Sequence, residues 1–127
     1  MAMFSTESIV LWYTNVEAAK RWWIQTFDCR PAKVPEDWDE PLPSDVQLLL
    51  PGDNKPTILL SDRAEAERAG LGRPDDHRII FANKLGKAHE FLAGRGAAPG
   101  PIQEGGGTQF FEIRDIEGHS IEICKEP

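Results

Sequence analysis

The sequence has no basic cluster, no long apolar run and almost no cysteine, and each of these lacks closes off a class of function. Its 14 basic side chains are outnumbered by 21 acidic ones, for a formal charge of −7. Such a surface repels a phosphate backbone, which argues against a nucleic-acid partner. No apolar stretch approaches the roughly 20 residues that a membrane span requires. The opening MAMFSTESIV has neither a basic start nor the apolar core of a signal segment. A soluble, cytoplasmic protein without a membrane partner is expected. The two cysteines, Cys29 and Cys124, lie far apart and form no CxxC pair, which suits reduced thiols used in packing better than a disulfide scaffold or a zinc knuckle.

What is present is enough for one domain with a real core: 127 residues, 40% of them hydrophobic. SIVLWYT, residues 8 to 14, is a β-branched and aromatic run that reads as a strand. Asn15 then suits a helix N-cap, with Glu17 in the first turn. Val16, Ala19, Trp23 and Phe27 recur every three or four residues, so a helix ending near Asp28 lays one apolar face on a sheet. Pro31, Pro35, Pro41 and Pro43 break the next stretch, with room for a short strand near Ala32 to Val34; VQLLL and TILLS then read as strands around the PGDNKP turn. Residues 61 to 76 read as a capped helical turn followed by a Gly and Pro linker.

Beyond the linker the order starts again. HRIIFAN is a strand, and KLGKAHEFLAGRG is a helix with Leu85, Ala88 and Leu92 on one face. A strand near Ala97 to Gln103 precedes TQFFEIR and HSIEICK, which form a hairpin across the turn DIEG. Laying residue 8 on residue 77 without gaps puts Val16 on Leu85, Ala19 on Ala88, and Trp22-Trp23 on Phe91-Leu92. The chain is thus read as a single domain, 1–127, with a first β-α-β-β-β module at 1–62, a linker at 63–76 and a second module at 77–127.

Two such modules, opening with SIVLWYTNVEAAKRWW and HRIIFANKLGKAHEFL and closing on DIEGHSIEI, resemble the vicinal oxygen chelate superfamily of glyoxalases, bleomycin-resistance proteins and extradiol dioxygenases. The resemblance covers the whole chain. It implies an α+β fold of two β-α-β-β-β modules whose curled mixed sheets make a cup with helices outside, and it implies a homodimer. It further implies metal ligands on the first and last strands of each module. In the second module those positions hold His77 and Glu122. In the first they hold Ser8, and Ile58 or Leu59, which do not match a metal-binding member.

Two ligands hold a metal loosely, since a catalytic ion is usually fixed by three or more side chains. A neighbour such as Gln47, Gln109 or a water would complete a shell around zinc, nickel, manganese or iron. The preferred expectation is therefore a small-molecule binding protein with an incomplete metal site, and the alternative is a metal-dependent lyase or dioxygenase. A degenerate cup kept for dimerisation or partner binding is the third. The plain structural reading of His77 is a strand cap, and of Glu122 a solvated or locally bonded carboxylate.

Alternation along the first strand puts Ser8, Val10 and Trp12 on the cup side and Ile9, Leu11 and Tyr13 toward the helix. Phe81 accompanies His77 by the same rule, and Phe111 is expected opposite Glu122 across the hairpin. These aromatics make an apolar pocket with a few polar groups, although alternating aromatics are commonly plain core. Trp38 sits among Glu36, Asp37, Asp39, Glu40 and Asp45, a loop suited to closing over a cationic or aromatic ligand or simply to covering core. Other chemistry finds no motif. GGG at 105–107 precedes a strand, His89 lacks an HExxH partner, and Ser120 lacks a G-x-S-x-G elbow with His119 expected on the opposite face of its strand.

Overall fold

The computed structural model describes residues 3–32, 44–74 and 78–127. Trp38 and His77 lie outside the described residues. In chain order the elements are β1 (Phe4–Ser5), β2 (Ile9–Tyr13), α1 (Val16–Phe27), β3 (Arg30–Ala32), β4 (Val46–Leu49), β5 (Ile58–Asp62) and α2 (Arg63–Arg68). They continue with β6 (Ile79–Ala82), α3 (Leu85–Gly94), β7 (Gln103–Gly105), β8 (Thr108–Arg114) and β9 (Ser120–Lys125).

Two sheets result, in the orders β2-β5-β4-β3 and β1-β6-β9-β8-β7. In each, the strand before the helix runs parallel to the last strand of its module, β2 with β5 and β6 with β9. The other pairings are antiparallel. A parallel pair needs a long crossover, which α1 and α3 begin in their respective modules. The fold is the α+β arrangement of two mixed sheets that the sequence predicts.

Local chemistry sets the helix ends. The Asn15 side chain accepts a hydrogen bond from the Ala18 amide, capping α1, and Asp28 closes the helix in the left-handed region at φ 57°. The Asp62 side chain caps α2 through the Glu65 amide. Val16, Ala19, Trp23 and Phe27 are buried, and they join Ile9, Leu11, Tyr13, Leu48, Ile58 and Leu60 in one core with Ile80, Phe111, Ile113, Ile121 and Ile123 of the second sheet. Each large side chain buried there contributes roughly 1.5–3 kcal/mol.

The short strand β1 has no clear sequence signal, and it bridges the halves. Its backbone pairs with β6, while Phe4 packs edge-on against Phe27 of α1 and Phe91 of α3 at 5.1 and 5.9 Å. Arg95, just past α3, adds a second bridge through its ion pair with Asp28 at 2.8 Å.

Candidate functional site

Strand register decides which side chains leave the core. On the face of the first sheet away from α1, Val10 is aligned with Leu59, Leu59 with Gln47, and Trp12 with Ser61. On the corresponding face of the second sheet, Ile79, Glu122 and Glu112 form one row, and Phe81, Cys124 and Phe110 the next. Val10, Phe81 and Glu122 are half-buried there, as alternation predicts, while Ser8 lies exposed just before β2. Leu59 occupies the place in the first module that Glu122 holds in the second.

Phe111 is a correction. It pairs with Ile123 and is completely buried in the core, its ring against His89 at 4.9 Å. The residue opposite Glu122 is Glu112. Two carboxylates directly across a strand pair are unfavourable, and Arg114 offsets one of them through its 3.4 Å contact with Glu112. Among the described residues the Glu122 side chain has no hydrogen-bond or ion-pair partner.

The physical cause of the misplaced Phe111 is the β8–β9 turn, which is one residue longer than the DIEG turn read from sequence. Arg114 pairs with Ser120, so the loop runs from Asp115 to His119. Asp115 holds it closed: its Oδ1 accepts from the amides of Glu117 and His119 at 3.0 and 2.8 Å, and its own amide donates to the His119 carbonyl at 3.0 Å. Gly118 takes the positive φ of 85° that this turn needs. A one-residue change of register turns every following side chain to the other face.

The same loop gathers a polar knot that sequence reading missed. The Tyr13 hydroxyl donates to Asp115 Oδ2 at 2.6 Å and accepts from the Trp23 indole at 3.0 Å. His119 Nδ1 lies 2.9 Å from Asp115 Oδ2, and the His119 ring meets the Tyr13 ring edge-on at 5.0 Å. A buried carboxylate accepts and does not donate, so Nδ1 carries the proton and Nε2 is left as the unengaged ring nitrogen. Burial, followed by the charge and hydrogen bond of Asp115, pushes the Tyr13 phenol well above its ordinary value. Glu117 ties the loop to the start of α1 by accepting from the amides of Thr14 and Asn15 at 2.9 and 3.0 Å. Burial raises its carboxyl, but these amide hydrogen bonds outweigh burial and leave it below the usual range.

Where the halves join, β2, α2, the linker and the β8–β9 turn line a half-open cavity of about 250 Å³. Trp12 is one wall, as the alternation of β2 predicts. Arg63 and Glu67 come from α2, Arg73 and Pro74 from the linker, Arg78 from the residue before β6, and His119 from the turn. Arg78 also donates to the Ser120 carbonyl at 3.3 Å. Among the described residues neither Arg63 nor Arg73 has an ion-pair partner. Val10, Phe81, Phe111 and Glu122 do not line this cavity, so the structure separates Trp12 from these four residues.

Of the two donors implied for a divalent metal, His77 and Glu122, Glu122 alone falls among the described residues. No three His, Cys, Asp or Glu side chains converge there, and the row around Glu122 offers only Glu112 and an isoleucine. Gln47, read as a shell-completing residue, is buried beside Leu59 with its side-chain oxygen unpartnered, and Gln109 instead donates to Glu104 at 3.1 Å. Both cysteines are buried; burial, then the charges of Asp53 and Asp28, push the Cys29 thiol up to about 12, and burial with the Glu122 charge raises Cys124. No helix among the described residues is long and apolar enough to cross a membrane.

No protein-family model and no curated protein matches the sequence. Solved structures do match the fold. A member of the glyoxalase/bleomycin resistance protein/dioxygenase superfamily from Sphaerobacter thermophilus superposes with a TM-score of 0.70 at 16% identity, over 96% of this chain and 98% of that one. Lactoylglutathione lyase from Agrobacterium tumefaciens matches with a TM-score of 0.70 at 16% identity, over 95% and 93%. TioX from a Micromonospora species matches with a TM-score of 0.67 at 20% identity, over 97% of each chain. With two sheets that share one strand order apart from the added β1, joined through one core, this chain has the fold of the glyoxalase/bleomycin resistance protein/dioxygenase superfamily, the vicinal oxygen chelate fold.

Proposed function

We propose that the protein binds a small organic molecule in the cavity at the joint of its two modules, with Trp12 as the apolar wall. The carrying observation is that one cavity brings an aromatic ring of β2 together with ionisable side chains from α2, the connection that follows it and the β8–β9 turn. Convergence of a few polar groups on an apolar wall is the usual make-up of a ligand site. At about 250 Å³ the space is just below the roughly 300–1,000 Å³ of drug-sized sites, which favours a compact ligand.

The glyoxalase-like fold hosts several chemistries and so adds no substrate. The residues around Trp12 therefore carry the reading. A fragment screen by two-dimensional NMR tests it. Binding fragments are expected to shift the Trp12 indole and His119 signals, and Trp12→Ala is expected to abolish those shifts. Trp12→Phe, which keeps most of the packing, should weaken them. Fragments whose shifts map elsewhere, or survive in both variants, would overturn the proposal.

A further inference from the structure

We infer that this cavity accepts a small oxyanion, a carboxylate or a phosphate group, held by the guanidinium groups of Arg63 and Arg73. The inference deepens the small-molecule reading of the same cavity and rests on it. Its first support is a reversal of charge. The chain as a whole carries a formal charge of −7, yet among the described residues the cavity lining sets Arg63, Arg73 and Arg78 against the carboxylate of Glu67. Such a concentration of one sign in a partly enclosed space focuses the local potential and raises the concentration of the opposite ion.

The second support is what Arg63 and Arg73 leave undone. Arg63 and Glu67 stand four apart on α2, the spacing at which helical ion pairs form. No such pair is made, and Arg73 is likewise without a carboxylate among the described residues. Their forked donors match the two oxygens of a carboxylate or the oxygens of a phosphate. Arg78 is positioned by its bond to the Ser120 carbonyl, and His119 is fixed through Asp115, so two of the lining groups are already oriented. A cation, the ligand suggested by the acidic loop around Trp38, would meet repulsion here.

Calorimetric titration at low salt with four probes of similar shape tests the inference: benzoate, phenyl phosphate, benzamide and benzamidine. Benzoate or phenyl phosphate is expected to bind at least about tenfold more tightly than benzamide, with benzamidine weakest of all. The tighter of the two anions identifies the group the site is built for. Arg63→Gln and Arg73→Gln should each weaken the anion about five- to tenfold. Arg68→Gln makes the same charge change on α2 outside the cavity and should leave binding unaltered. Raising salt from about 0.05 to about 0.5 M should weaken the anion as well.

Benzamide binding as tightly as benzoate in a Trp12-dependent manner would overturn the oxyanion assignment while leaving the small-molecule reading intact. An equal loss in Arg68→Gln and Arg73→Gln would mean diffuse attraction to charge and would also overturn it. Failure of all four probes, with no fragment mapping to Trp12, would overturn both.

Discussion

Tyr13 is the chain's single tyrosine, and Tyr13→Phe removes one oxygen from the centre of the joint while keeping the ring. The hydroxyl is the donor to Asp115 at 2.6 Å and the acceptor for Trp23 at 3.0 Å. A hydrogen bond to a charged group is worth about 1.5–3 kcal/mol, and a buried donor left without an acceptor costs about 1–3 kcal/mol. Asp115 keeps its bonds from the amides of Glu117 and His119 and from His119 Nδ1, so its share falls at the low end. Trp23 is fully buried and has no route to water, so its share is felt in full. The expected loss is about 3 kcal/mol, a large part of the roughly 5–15 kcal/mol that stabilises a domain. At about 4 °C per kcal/mol for a chain of this size, the melting temperature falls by about 12 °C.

Urea unfolding followed by tryptophan fluorescence, with an unchanged m-value, checks the magnitude at neutral pH. An alkaline series checks the cause. A phenol whose folded pKa is raised is fully stabilising below its unfolded value near 10, and that contribution is lost as pH climbs above it. The difference in stability between wild type and Tyr13→Phe should therefore shrink above about pH 10. A loss under about 0.5 kcal/mol at neutral pH, within the range of an ordinary surface change, would refute the assignment of Tyr13 as a polar pin.

Glu117→Gln should cost about 1 kcal/mol, because two backbone amides lose a charged acceptor at a partly solvated site. Its lowered pKa stabilises the fold above the unfolded carboxylate value, and this is lost as pH falls below about 4.3 toward the folded value. The variant should show a shallower acid decline in urea titrations between about pH 5 and pH 3, and an unchanged slope would count against the Thr14 and Asn15 contacts. Phe111→Ala should cost about 3–5 kcal/mol as a core cavity, and Phe81→Ala, on the half-buried outer face, roughly 1 kcal/mol. Equal losses by chemical denaturation would contradict the register of β8.

The fold was legible because its signals are local and redundant. Asn15 and the Val16, Ala19, Trp23 and Phe27 stripe mark α1 independently, and two rounds of the same order confirm each other. Trp12 was legible because five residues of clean alternation in β2 leave one reading of its face. Phe111 was not. TQFFEIR puts two phenylalanines side by side, so either one satisfies the period of two, and only the turn length breaks the tie. That length is fixed by the carboxylate of Asp115 holding His119 inside the loop, a contact which composition does not display. The one-residue error also placed His119 on a strand and hid it from view. Arg63, Arg73 and Arg78 were hidden differently, since the route of a Gly and Pro linker follows from no periodicity.

β1, Arg95 and the knot around Asp115 each join the modules, but only the knot also reaches the cavity. Tyr13 is anchored in the core of the first half, Asp115 belongs to the hairpin of the second, and His119 lines the same cavity as the arginines. Any ligand held against His119 must therefore act on the joint. If the ligand binds only the folded, joined state, it stabilises the protein by RT ln(1 + [L]/Kd), about 2.7 kcal/mol at one hundred times Kd. A cavity on one module alone would lack this coupling, because opening the joint would leave it intact. The arrangement predicts that a bound anion slows hydrogen exchange at Thr14 and Asn15, whose amides are held by Glu117 of the same loop, although neither residue lines the cavity. Protection confined to residues at the cavity wall would show instead that the joint and the site are independent.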